Sequence, residues 1–443
     1  MKGAGVASDG SIGGGTGTAG QRGIFYGWYI VAAVFFMVFV SIGFRQSFGL
    51  FLPSWTEEYG VSVSFLSTVA FVGWMVNGIA QPVVGGLADR YGARVVAWVS
   101  VGVLGLSTIG MAFSFNIWAL AFFYATLASF SNAGAMFTPL TPLISRWFVR
   151  RRGAALSMIT AGGSGGAMLL IPFAAYLLEL ANWRVALGVI AAIMLVLVLP
   201  LVLVVVRDRP SAMGLRPDGD APTNADGSQR PPIYDGPLTV SHWRQAYRSA
   251  PMWQLTLTYV VCGITTAVIA VHFVSFAKTE GINETTAALA FGLLSFANMA
   301  SVLIMGFFIS DRVQRKNALT VIYAVRGIGF LSLLVMPTSV GLWVFAVVAG
   351  SSWLATVPQT SALTAEVYGV RNVGAITGML TMVHMCAGAV AVLAAGFSFD
   401  YFGSYDPFWL VSVLMLGGAS FMAWTLRERE VSARYRPMRL AEA

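Results

Sequence analysis

Four ionisable side chains stand well inside long apolar runs of this chain: Arg45, His272, Arg326 and His384, with Lys278 nearer an edge. All are basic. A charge at bilayer depth costs at least about 2.5 kcal/mol even on the most lenient insertion scale, so each is a functional candidate by default. No carboxylate shares these runs. Cations that face a common cavity would then find their neutralising partner in a negatively charged ligand. Guanidinium is permanently charged and can grip a carboxylate through two parallel hydrogen bonds. Arg45, in Gly43-Phe44-Arg45-Gln46-Ser47-Phe48 toward the outer half of the first run, is the first candidate for such an anchor. Its competing role is an arginine snorkelling to the interface. Imidazole titrates nearest neutrality, which makes His272 and His384 candidates for substrate contact and for proton coupling; the alternative for each is a neutral ring bonded to a backbone carbonyl. Arg326 is either a structural clamp or a secondary anion contact.

The elements that must position these groups are membrane helices. The chain is 57% hydrophobic and only 10% charged, with a mean hydropathy of +0.74. Apolar runs of about 20 residues place spans near 26 to 52, 64 to 88, 94 to 113, 117 to 141, 153 to 178, 184 to 206, 252 to 278, 286 to 310, 317 to 336, 340 to 367, 374 to 398 and 407 to 426. A membrane β-barrel would show alternating segments of about ten residues instead. With both termini cytoplasmic, all of the 27 Lys and Arg except Arg45, Arg184, Lys278 and Arg326 fall in tails or cytoplasmic loops, as the positive-inside bias requires. The net charge of +8 thus reflects topology and lipid contact and implies no nucleic acid. Residues 1–22 are rich in Gly, Ser and Thr, lack the apolar core of a cleavable signal, and read as a disordered cytoplasmic tail; 428–443 read as a second tail. The expected location is the cytoplasmic (inner) membrane, multi-pass. Cys262 and Cys386 lie inside spans and read as packing; no metal cluster or cofactor motif is present in the sequence.

A polar stretch at 207–250 divides the chain into six-span units at 23–206 and 251–427, and the two echo one another. Gly86-Leu87-Ala88-Asp89-Arg90 recurs as Ile309-Ser310-Asp311-Arg312. Thr138-Pro139 matches Val357-Pro358, and Gly153-Ala154 matches Gly374-Ala375. Similar offsets at three landmarks indicate a duplicated six-helix module. The loop Gly85-Gly86-Leu87-Ala88-Asp89-Arg90-Tyr91-Gly92-Ala93-Arg94 resembles the G-x-L-a-D-r-x-G-r-[RK] signature of the major facilitator superfamily, with Ala93 departing from it. Trp147-Phe148-Val149-Arg150-Arg151-Arg152 with Ala155 and Ala161-Gly162 resembles the [YW]-F-x-[KR]-R-R-x-x-A…A-G pattern of its monocarboxylate transporter and oxalate/formate exchanger group, and Tyr26-Gly27-Trp28 resembles that group's first-helix element.

That resemblance implies an all-α fold of twelve transmembrane helices in two pseudo-symmetric bundles, with helices 1, 4, 7 and 10 lining a central cavity. It implies a conformational latch at Gly85, Asp89, Arg90, Gly92 and Arg94, echoed by Asp311 and Arg312. The group's carboxylate-binding arginine in helix 8 has no counterpart, since Asn298-Met299-Ala300-Ser301-Val302-Leu303 contains no basic residue, and Arg45 is expected to take its place. Further polar candidates are Asn77, Asn132, Asn298, Gln359 and Thr360, each of which could instead bond between helices. Nothing in the sequence suggests an enzyme: there is no Walker sequence and no nucleophile and base pair. The expected activity is secondary transport of a small organic anion, foremost a monocarboxylate, by proton symport or anion exchange. The expected partners are that anion, protons and lipid, with the monomer as working unit. The alternative is a proton-driven exporter of apolar or cationic compounds, a class expected to carry a membrane-embedded Asp or Glu; none stands well inside these runs, Glu366 lying at the very end of the tenth.

Overall fold

The computed structural model describes residues 24–218, 238, 240–310 and 312–426. Among them, twelve helices are long and apolar enough to cross a membrane, and no strand is formed. They are span 1 (Tyr26–Gln46), span 2 (Thr68–Tyr91), span 3 (Ala93–Ala112), span 4 (Ile117–Trp147), span 5 (Arg152–Leu180), span 6 (Trp183–Val205), span 7 (Ala250–Phe273), span 8 (Leu289–Ile309), span 9 (Arg315–Val335), span 10 (Ser339–Tyr368), span 11 (Val373–Phe399) and span 12 (Asp406–Thr425). Local chemistry sets several helix starts. Ser62, Asn116, Asn182 and Asn283 each accept a backbone N–H from the third residue that follows, capping the helices that lead into spans 2, 4, 6 and 8. All four caps lie at the end of the bundle away from the start of span 1.

Among the described residues most apolar side chains gather into two large cores. One runs from Ile30 to Val206 and is joined by Ala362; the other runs from Leu238 to Leu426. Small residues let the backbones inside them approach. A Cβ on Gly166 of span 5 would collide with the carbonyl oxygen of Phe39 in span 1, and one on Gly43 would meet Leu170 and the Gly166 carbonyl.

Spans 4 and 10 are both interrupted, and at matching places. Span 4 is helical to Gly134 and resumes at Phe137, while the helix Thr338–Ser352 of span 10 yields to a turn before Thr356–Tyr368. The cause is Pro139 in one half and Pro358 in the other. Proline has no N–H to give to the carbonyl four residues back, and its ring presses on that carbonyl, here Ala135 and Leu354. The interruption therefore falls three to five residues before each proline.

Span 1 also differs from the expected single run to residue 52. After a turn at Ser47 the chain continues as a second helix, Phe48–Tyr59. Glu58 near its end accepts Arg184 Nη1 at 2.8 Å and Trp183 Nε1 at 2.6 Å, and Arg184 lies 4.2 Å over the Trp183 ring. The hydrogen bond from Arg184 holds the Glu58 carboxyl below its ordinary range. The pair therefore contributes at neutral pH and fades as acid protonates Glu58, and because both groups are more than a third exposed its contribution is small. This clamp accounts for Arg184, one of the basic residues that the loop bias left over.

The halves meet along spans 2 and 11, and 5 and 8. Gly85 sits against the Gly374 backbone, Gly378 against Gln81 and Pro82, Gly78 against Met385, and Gly306 against Ser157. Trp28 stacks on Phe307 at 6.1 Å. These contacts extend from the end where span 1 begins to the middle of the bundle.

Gly166→Val should overpack the span 1 and span 5 contact and lower stability by about 1–3 kcal/mol. Thermal unfolding of detergent-solubilised protein checks this, with Gly188→Val, which meets no neighbour within 4 Å, as a control expected near wild type.

Candidate functional site

Arg45 Nη1 donates to Asn77 Oδ1 at 3.2 Å. Asn77 stands midway along the helix Val63–Tyr91. The guanidinium is thus held at the middle of the helical layer, because the helix Phe48–Tyr59 carries the chain well beyond it. Its other contacts are soft: the thioethers of Met136 at 3.6 Å and Met385 at 3.8 Å, and the face of Trp74 at 4.2 Å. Thioether sulfur is a weak acceptor, so of the five N–H donors on the fork only one meets a strong one. Among the described residues no carboxylate pairs with Arg45.

The orientation of Asn77 is fixed by its neighbours. Its Nδ2 donates to the Ser129 carbonyl at 2.9 Å, which leaves Oδ1 for Arg45 and for Gln81 Nε2 at 3.1 Å. Gln81 in turn accepts from Thr138 at 2.5 Å. Arg45 opens on a small cleft, which Phe44, Tyr124, Ser129 and Asn132 also line. The wide-turn segment Phe123–Ala128 in span 4 shifts the helical register there, and Tyr124 and Ala128 reach the cleft from it. Asn132 gives Nδ2 to the Ser41 carbonyl at 2.9 Å, while its buried Oδ1 has no partner. Arg45 and Asn132 therefore share one cavity.

The other expected site residues lie elsewhere. His272 bonds Tyr405 at 3.2 Å through Nδ1 and the Val392 carbonyl at 3.0 Å through Nε2. Both ring nitrogens are engaged in joining spans 7 and 11 to the start of span 12. Asn298 takes Leu354 N at 2.8 Å and gives Nδ2 to Ser164 Oγ at 2.6 Å. It satisfies an amide freed by the span 10 break and ties it to span 5. Asn77 and Asn298 occupy echoing positions in the two halves, and each bonds the backbone of the interrupted helix beside it. Gln359 accepts Ser310 Oγ at 3.1 Å, toward the end of the bundle where span 8 finishes, and its Nε2 is buried without a partner. The Thr360 hydroxyl is likewise buried and unpartnered. The side chain of Lys278 lies outside the described residues.

Arg326 is fully buried. Nη2 donates to the carbonyls of Ser352 and Trp353, the latter at 2.6 Å, and Nη1 to Thr265 at 3.1 Å and Cys262 at 3.4 Å. It clamps the carbonyls that the span 10 break sets free, and does not reach the Arg45 cleft. The His384 ring lies tilted against Tyr259 at 4.6 Å and bonds the Tyr259 carbonyl through Nδ1 at 3.2 Å. Its neighbour Met385 touches Arg45, so the middle of span 11 separates the anion cleft from the Arg326 cluster.

At the end where span 1 begins, Asp89 accepts Gly374 N at 3.1 Å and Ala375 N at 2.8 Å. A carboxylate on the N-terminus of span 11 is favoured by the exposed amides and the helix dipole. Gly85 provides the close approach, and Gly92, at φ +95°, makes a turn that a side chain would strain. Arg94 donates its amide to Asp208 at 2.9 Å and Nη2 to the Leu203 carbonyl at 2.6 Å, while Arg90 lies 5.1 Å over Tyr91. Asp311 lies outside the described residues; Arg312 follows it in the turn, its amide 3.0 Å from the Ile309 carbonyl. The tri-arginine loop carries a partner absent from the sequence reading. Asp218 accepts Val149 N at 2.6 Å and Arg151 N at 3.2 Å. Beside it, Trp28 of the Tyr26-Gly27-Trp28 element meets Phe148 at 4.9 Å, so two distant sequence elements form one contact.

The model of the Major Facilitator Superfamily matches residues 34–391. The chain belongs to this superfamily. Its relatives include the uncharacterized MFS-type transporter YcxA of Bacillus subtilis, 24% identical over 88% of this chain and 92% of that one. Monocarboxylate transporter 11 of Homo sapiens is 27% identical over 90% of this chain and 82% of its own. Among solved structures, the human organic anion transporter MFSD10 aligns with a TM-score of 0.64 at 14% identity. FucP in its outward conformation aligns with 0.67 at 13% identity. Each alignment covers 90% of this chain and 99% of the other. Family and relatives are transporters rather than enzymes, in a multi-pass membrane protein.

Sequence reasoning passed over Trp74, Met136, Met385 and Tyr124, which read as ordinary apolar core. The proline at 139 was the available signal, since it marks the break that contains Met136.

Arg326→Met should lower stability by about 3 kcal/mol, because it leaves two buried carbonyls and a hydroxyl without their charged donor. Arg326→Lys should recover little, an ammonium being unable to span the same acceptors. Thermal unfolding midpoints of the solubilised variants measure both.

Proposed function

We propose that this transporter carries a small organic anion, a monocarboxylate foremost, and that Arg45 binds its carboxylate. The observation that carries the reading is the Arg45 fork itself: mid-layer, facing a cleft, and bonded to one amide oxygen and two thioethers where a carboxylate would satisfy it far better. Asn132, with its unpartnered oxygen, would contact the remainder of the substrate. Trp74, Phe44 and the methionines would accept an apolar tail and offer no second cation for a second carboxylate. The curated relatives named as monocarboxylate transporters support the same class.

Transport would proceed by rocking of the halves 23–206 and 251–427 about the cleft, in a cytoplasmic membrane with both termini inside. Asp89 on the span 11 amides would latch the cytoplasmic end, with Asp311 as its echo in the other half. An empty carrier with a fixed guanidinium at mid-depth reorients at an electrostatic cost. Either a second anion replaces the first, giving exchange, or a titrating group adjusts the charge, giving proton symport. Of the two candidate histidines, His384 is the one beside the cleft; His272 has both nitrogens committed.

In proteoliposomes, Arg45→Gln should reduce uptake of radiolabelled short-chain monocarboxylates by about 100-fold, the value of two charge-assisted hydrogen bonds. Arg45→Lys should retain part of it. Undiminished uptake by correctly folded Arg45→Gln would remove Arg45 from the site. Asp89→Asn should weaken the latch and shift the population about tenfold toward the state open at that end. Distances between spin labels on the loops after spans 2 and 10 measure the shift.

A further inference from the structure

The C-terminal half holds a charge for which the anion cleft has no use. Arg326 cannot lose its proton, and the groups that solvate it in span 10, the Ser352 and Trp353 carbonyls, are neutral. Ionisable groups face it from three helices: Cys262 and Tyr259 from span 7, Tyr323 from its own span 9, and His384 from span 11. Span 10 contributes Thr356, which does not titrate. The Tyr323 hydroxyl already donates to the Thr258 carbonyl at 2.7 Å. A thiol is an intrinsically stronger acid than a phenol. Cys262 Sγ, fully buried, lies 3.4 Å from Arg326 Nη1 and 3.0 Å from Thr356 Oγ1, two groups able to donate to a thiolate.

We propose that Cys262 is the proton-binding group of this transporter, paired with Arg326 as its thiolate and exchanging its proton through His384. The His384 contacts support the exchange. A carbonyl only accepts, so the Nδ1 that bonds the Tyr259 carbonyl carries the hydrogen, and the neutral ring keeps its lone pair on Nε2. The S–H bond of Cys262 breaks as an N–H bond forms on the ring. The imidazolium then releases that proton to water. His384 is 9% exposed where Cys262 and Arg326 are 0%, which makes it the outlet of the cluster. Loss of the proton lowers the charge of the cluster by one, and its return restores it. Both consequences reach the transport machinery. Arg326 holds the break in span 10, and Met385, next to His384, touches Arg45. A proton on Cys262 would thus balance an anion on Arg45 and convert exchange into symport. The coupling rests on the anion reading, but the protonation itself does not.

Cys386 is the other of the two cysteines, so in Cys386→Ser protein the thiolate absorbance near 240 nm reports Cys262 alone. With the Cys262→Ser/Cys386→Ser protein as baseline, pH titration should show a reversible step of one thiolate per chain between about pH 5.5 and 8. Arg326→Gln in the same background should move the step to more alkaline pH. A monodisperse Cys386→Ser protein with no step below about pH 8, the behaviour of an ordinary thiol, would overturn the proposal. This comparison decides even if Arg326→Gln does not fold. Should the anion reading fail instead, carboxylates would not stabilise the protein while the thiolate step persisted.

Discussion

A guanidinium cannot shed its charge, and the interior of this bundle offers it almost nothing that carries the opposite one. That constraint organises both halves. Arg326 answers it with solvation: two peptide carbonyls, a hydroxyl and a thiol take its two terminal nitrogens, and only Nε is left without a partner. Arg45 answers it poorly, with one amide oxygen, two thioethers and an indole face beside a cleft. The difference underlies the roles proposed for them. A buried polar group already satisfied is part of the scaffold, whereas one left short of partners on a cavity is a seat for a ligand.

The helix breaks are what make the two environments available. A regular helix keeps its carbonyls to itself, so Arg326 could find main-chain acceptors in span 10 only at the break that precedes Pro358. In span 4 the matching Pro139 produces the turn that places Met136 against Arg45. The duplicated module thus supplies the same backbone device twice, and the halves use it differently. One half gives a closed clamp from span 9 and the other an open cleft with its arginine from span 1. Irregular backbone at this depth is tolerable only where protein or a cavity satisfies it, and Asn77 and Asn298 do so at echoing positions.

Much of this was legible in the sequence. The twelve spans follow from apolar run length, and the family from the Gly85 to Arg94 loop. The rarity of charge in those runs pointed to Arg45 directly. Its depth was not legible, because hydropathy does not reveal that helix Phe48–Tyr59 continues past Ser47 and carries span 1 outward. Nor could the sequence separate His272, bonded to Tyr405 and the Val392 carbonyl, from His384, which meets the Tyr259 carbonyl and Cys262. The partners of Cys262 come from spans 9, 10 and 11, far away along the chain, and a lone thiol in an apolar run looks like packing. The weak acceptors around Arg45 escaped for the same reason: methionine reads as core until geometry sets it against a cation.

The most direct test of the uncompensated Arg45 as an anion seat is ligand-induced thermal stabilisation of the purified protein. The panel is small monocarboxylates, dicarboxylates, aromatic acids and cationic dyes, at acidic and neutral pH. The account predicts that monocarboxylates raise the unfolding midpoint and that Arg45→Gln abolishes the rise. Stabilisation by cationic or apolar compounds alone, or a carboxylate effect that survives in Arg45→Gln, would contradict it.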